Sequence, residues 1–77
     1  MILLKTERLR RGWSQSELAR RASLNANTVS QIESQRFRPY ESQLAKIARA
    51  FGIPEQQAHL LLVDAAQSPP LARRGSG

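Results

Sequence analysis

Residues 14–33 constrain the fold of this chain more than any other stretch. They read as two short helices with a tight joint between them. Ser14 stands where it can cap the first helix, and Glu17 three residues later completes a Ser-x-x-Glu capping box. Trp13 before that cap and Leu18 after it have the spacing of a hydrophobic staple. Asn25 stands where it can cap the second helix, with Leu24 and Val29 at staple spacing around it. Between the helices, Ala22-Ser23-Leu24 leaves room only for a turn. The first helix, from about Gln15 to Ala22, has an apolar stripe of Leu18, Ala19 and Ala22, and the small Ala19 permits close approach of its partner. The second, from about Ala26 to Glu33, turns Val29 and Ile32 inward.

The outer face of the second helix is Asn27, Ser30, Gln31 and Ser34, at i, i+3, i+4 and i+7. It has no Lys, Arg or Glu, although the chain as a whole is basic. A plain solvent face on such a protein usually carries charge. This one carries amides and hydroxyls, the groups that read base edges. Two short helices on a three- or four-residue turn form a helix-turn-helix, whose second helix can enter a DNA major groove.

Charge agrees with that reading. The 77 residues carry a net charge of +6, and the pI is about 11.4, a balance that argues for a polyanionic partner. Residues 1–40 hold eight Lys/Arg against three Glu, and residues 41–77 four against three acids, so the charge travels with the helix-turn-helix half. The length suits one small domain, expected over residues 1–66. Without cysteine there is no disulfide or thiolate metal site. No apolar run reaches the roughly 18 residues of a membrane span, and Met1-Ile2-Leu3-Leu4-Lys5 turns polar too soon for a signal peptide. The expectation is a soluble protein of the cytoplasm, with no membrane partner.

The rest of the chain is helical in pattern. Residues 2–11 predict a first helix with Ile2, Leu4 and Leu9 inward and Lys5, Arg10 and Arg11 outward, stopped by Gly12. Residues 34–40 predict a loop, with Pro39 blocking any helical continuation and Arg36 and Arg38 just past the reading helix, where phosphates would lie. Phe37 either plugs into the domain, the preferred reading, or stacks on the sugar-phosphate backbone. Residues 41–51 predict a fourth helix, with Leu44, Ile47, Ala48 and Phe51 in the core and Gly52 ending it. Pro54 opens a fifth, expected to reach about Ala65, with Ala58, Leu61, Leu62 and Ala65 in one stripe and Leu60 and Val63 beside it. That surplus either closes the core or forms a dimer contact. Residues 67–77 read as a flexible tail.

An ordered set of residues resembles the Cro/C1-type (XRE-like) helix-turn-helix family. It comprises Arg8-x3-Gly12-Trp13-Ser14-Gln15-x-Glu17-Leu18-Ala19, Leu24-Asn25-x2-Thr28-Val29-Ser30-x-Ile32-Glu33, Arg38-Pro39, and Leu44-x2-Ile47-Ala48-x-Ala50-Phe51-Gly52-Ile53. The likeness covers residue 4 to about 62. It implies an all-α, compact five-helix bundle of the lambda-repressor-like type that binds operator DNA as a homodimer and regulates transcription. It implies roles as well. Gln15 matches a position that contacts a phosphate and buttresses the reading helix. Asn25, Ala26, Asn27 and Gln31 match positions facing base edges, with Ser30 nearby. Arg8 and Glu33 match an ion pair tying the first helix to the end of the third. Arg11, Arg36 and Arg38 complete the expected phosphate contacts. Three residues depart from the pattern: Ser23 and Gln35 stand where turn glycines are usual, and Tyr40 where Ser or Thr caps the fourth helix.

Other functions find less support. His59 is the only histidine, the six carboxylates are unpaired along the sequence, and there is neither a phosphate-cradling glycine loop nor metal-ligand spacing, so no enzyme, cofactor or metal is expected. An antitoxin that binds a toxin and also represses its own operon is the main alternative. RNA binding lacks an aromatic stacking platform. Polymerase is a further possible partner of a regulator bound near a promoter.

Overall fold

A computed structural model describes residues 1–67. Four α-helices follow one another: α1 Leu3–Arg10, α2 Gln15–Arg21, α3 Ala26–Glu33 and α4 Glu41–Phe51. A 3-10 segment, Glu55–Leu62, stands where the sequence predicts a fifth α-helix, and a short 3-10 turn, Ala65–Gln67, follows. The expected tail therefore begins with a residue held in that turn; its remaining residues, 68–77, lie outside the described residues.

Capping chemistry starts the helices. Ser14 Oγ accepts from the Glu17 N–H at 3.0 Å, and Asn25 Oδ1 accepts from the Thr28 N–H at 3.0 Å. Tyr40 does not cap α4 as a Ser or Thr would. Instead Gln43 reaches back, its Oε1 accepting from the Tyr40 N–H at 2.9 Å. Gly12 and Gly52 adopt the left-handed conformation after α1 and α4, at φ of 72° and 76°. Ser23 and Gln35 adopt it too, at 57° and 63°, so both turns keep the geometry usual for glycine and bear the strain.

The core is one cluster drawn from the four α-helices and the longer 3-10 segment. Leu4, Leu18, Val29, Ile32, Ile47, Ile53 and Leu61 are fully buried. Helix α2 packs chiefly on α3, and α4 on the 3-10 segment. Trp13, Leu24, Ala26, Phe37 and Leu62 lie partly buried against the cluster, so Phe37 is a plug in the domain. Leu9 departs from its expected inward place: it is half exposed, and Leu3 is buried instead. Because α1 begins at Leu3, its buried stripe runs through Leu3, Leu4, Glu7 and Arg8.

Backbone pairing explains why the 3-10 segment stops short of Ala65. At Val63 the chain turns extended (φ −83°, ψ 149°). Its carbonyl accepts from the Leu3 N–H at 2.8 Å, and the Ala65 N–H donates to the Met1 carbonyl at 3.0 Å. Ile2 and Asp64 thus form an antiparallel bridge. The first N–H groups of α1 have no side-chain cap, and this bridge supplies one of the missing acceptors.

Candidate nucleic-acid interface

The joint between α2 and α3 is organised around one buried carboxylate. Arg8 Nε donates to Glu33 Oε2 at 2.6 Å and Arg8 Nη2 donates to Glu33 Oε1 at 3.0 Å. The Arg8 fork is completed by Nη1, which donates to the Trp13 carbonyl at 2.7 Å. Gln15 Nε2 donates to the same Glu33 Oε1 at 3.0 Å. The ion-paired side chains are only 8% and 3% exposed, so the bidentate pair sits where water cannot compete for it. Glu33 thereby ties the last residue of α3 to α1 and to the first residue of α2. No buried side-chain nitrogen or oxygen among the described residues lacks a partner.

From that anchor the outer face of α3 points into solvent. Asn27, Gln31 and Ser34 are exposed and Ser30 is half-buried. The amides of Asn27 and Gln31 have no intramolecular partner among the described residues, so their donors and acceptors are available. Ser34 Oγ is turned back, donating to the Gln31 carbonyl at 3.2 Å. Ala26 does not stand free, because it packs partly against the core. Asn25 is divided: its Oδ1 serves the cap, and only its amide nitrogen remains.

The cations separate into two groups. Arg36 and Arg38 are exposed and unpartnered among the described residues, beyond the C-terminal end of α3. Arg11, expected to point outward to phosphate, is folded inward instead. Its Nη1 donates to Glu7 Oε1 and to the Glu7 carbonyl, both at 2.8 Å, and its Nη2 donates to the Phe51 carbonyl at 2.8 Å. Its guanidinium lies 4.5 Å from the Phe51 ring centre. Phe51 stacks on Trp13 at 5.7 Å, and Arg21 lies 4.4 Å over Trp13. Arg11 is thus a brace between α1 and the end of α4. The loss of its carbonyl and carboxylate partners is what a phosphate contact would cost.

Of the acids that hold arginines on this side, Glu7 is not marked by the sequence pattern, and Glu17 is marked there only as half of a capping box. Glu7 is buried and bridges Arg10 at 3.1 Å and Arg11 at 2.8 Å. Glu17 does not reach back to complete its capping box; Arg20 and Arg21 hold it at 2.5 and 2.6 Å. Desolvation pushes the Glu17 carboxyl up, but the hydrogen bond from Arg21 and the charges of Arg20 and Arg21 outweigh it and leave its pKa below the ordinary value. Glu7, Glu17 and Glu33 thus engage Arg8, Arg10, Arg11, Arg20 and Arg21 in ion pairs, while the first half of the chain keeps its net positive charge. Among the described residues no group of His, Cys, Asp or Glu is placed to hold a metal ion, and no helix is long and apolar enough to cross a membrane.

Compared with known proteins, the chain matches the helix-turn-helix family over residues 4–57. It is 40% identical over 50 residues to a hypothetical transcription factor of Neisseria meningitidis serogroup B, an alignment spanning 65% of this chain and 47% of that protein. The chain therefore spans about half the length of the curated relative it matches. No solved structure matches it.

Proposed function

This chain belongs to the helix-turn-helix family, and from that membership we propose that it is a sequence-specific double-stranded DNA-binding transcriptional regulator of the cytoplasm. Helix α3 enters the major groove, where Asn27 and Gln31 meet base edges, Ser30 lies close by, and the Asn25 amide contributes a donor. Gln15, Arg36 and Arg38 meet phosphates. The observation that carries this reading is the uncharged amide face of α3, exposed and unpartnered, on a helix fixed from behind by Glu33. The similarity to a hypothetical transcription factor supports the regulatory part.

The protein acts as a homodimer on an inverted repeat, with two copies of α3 about 34 Å apart in successive grooves. Leu60 and Val63 support this, since they are only partly buried at the end of the 3-10 segment, where a second copy would cover what remains. Selection of bound sequences from a random DNA pool, at several salt concentrations, tests both points. An enriched inverted repeat is expected. A single half-site would remove the dimer, and no enrichment would favour the protein-binding, antitoxin-like alternative.

A further inference from the structure

The cap of α3 restricts what Asn25 can read. An asparagine side-chain oxygen has two lone pairs, and its nitrogen carries two N–H donors. Both lone pairs of Asn25 Oδ1 are occupied. The Thr28 N–H donates to it at 3.0 Å, and the Thr28 hydroxyl donates to it at 3.1 Å. The backbone N–H of Thr28 can only donate, so turning the amide over would lose the cap bond, and the oxygen is held facing Thr28. What Asn25 turns outward is therefore a pure donor. Adenine is read by an amide that donates to N7 while accepting from N6, and Asn25 cannot do the second half. Guanine presents two acceptors, N7 and O6, which a donor-only group suits. Asn27 and Gln31, which have no intramolecular partner among the described residues, keep both halves of the amide and can read adenine.

Resting on the DNA-reading function above, we propose that Asn25 recognises guanine and rejects adenine at the base it faces, and that Thr28 is the positioning residue that sets this choice by saturating Asn25 Oδ1. Thr28 does this without touching DNA, from a half-buried place in the first turn of α3.

The test is selection from a random DNA pool with the full chain and its variants. Asn25→Ser keeps a good cap oxygen and removes the amide, so the position whose preference changes marks the base facing residue 25. The wild type should favour guanine over adenine there on the order of tenfold. Thr28→Val keeps the backbone N–H of the cap and removes the hydroxyl. It frees one lone pair of Oδ1 and should bring the guanine-to-adenine ratio toward one, while Thr28→Ser should retain the wild-type ratio. Circular dichroism checks that T28V is folded, and Thr28→Ala repeats the loss of the hydroxyl in a better helix former. A wild-type preference for adenine at that position overturns the proposal. So does an unchanged ratio in the folded hydroxyl-lacking variant, or an N25S that weakens all sequences equally. No enrichment by any of the proteins is a different failure, because it removes the DNA-reading function itself.

Discussion

Glu33 is the residue on which the arrangement of the two helices depends. Removing it leaves the Arg8 guanidinium buried without its carboxylate, and breaking such a pair typically costs about 3–5 kcal/mol. Glu33→Ala should therefore lower the unfolding free energy by about 3 kcal/mol in urea titrations. Replacing both partners with apolar residues should cost clearly less than Glu33→Ala, because no charge is stranded. Ser23 and Gln35 behave in the opposite direction. Each holds a left-handed turn that costs a residue with a side chain about 1–2 kcal/mol. Ser23→Gly should raise stability by about 0.5–1 kcal/mol, since glycine's greater freedom when unfolded offsets part of the gain. Thermal unfolding of S23G against the parent checks this. Gly12 is the reverse case, left-handed at φ +72° with open space around a Cβ, so Gly12→Ala should cost only the conformational strain.

At the level of the element, α3 has two faces with separate duties. The inner face carries Val29 and Ile32 into the core, and Glu33 anchors its end. The outer face has no structural role at Asn27 and Gln31. Gln31→Ala should relax the preference at one base pair by about 1–3 kcal/mol while leaving stability nearly unchanged. The arginines make a sharper contrast. Arg38→Ala should weaken binding to all sequences and reduce the slope of log K against log salt by about 0.9. Arg11→Ala should leave that slope unchanged and destabilise the fold, because its partners are Glu7 and the Phe51 carbonyl. Salt titrations of binding for the two variants separate the roles. The same contrast shows what the sequence could and could not disclose. Capping residues, the 3.6-residue apolar stripes and the uncharged face of α3 are local patterns, and they gave the helices and the reading face. The inward turn of Arg11 is legible only in part: its pairing with Glu7 is a local i,i+4 pattern, but the Phe51 carbonyl that completes the brace lies 40 residues away, which spacing along the chain cannot show. Leu9 lies outside the buried stripe because, on so short a helix, Leu3 completes it instead. The last helical segment ends at Leu62, short of the expected Ala65, because the Val63 carbonyl is bonded to the Leu3 N–H, a partner at the other end of the domain.

Across the whole molecule, stability and recognition draw on different sets of side chains. Glu7, Glu17 and Glu33 hold Arg8, Arg10, Arg11, Arg20 and Arg21 in ion pairs. The attraction to a polyanion then falls to a smaller set of free cations, Arg36 and Arg38 among them. Association through the partly buried Leu60 and Val63 would add apolar burial that a core of this size needs. Leu60→Asp should shift sedimentation equilibrium toward monomer and reduce binding to an inverted repeat more than to a half-site. The separation also matters to anyone wishing to alter the protein. Since Asn27 and Gln31 support no cap, no core contact and no ion pair, a library randomised at those two positions alone should yield mostly folded members. The chain is in that sense a socket with two free letters: the part of its specificity carried by Asn27 and Gln31 could be rewritten without rebuilding the scaffold that holds it.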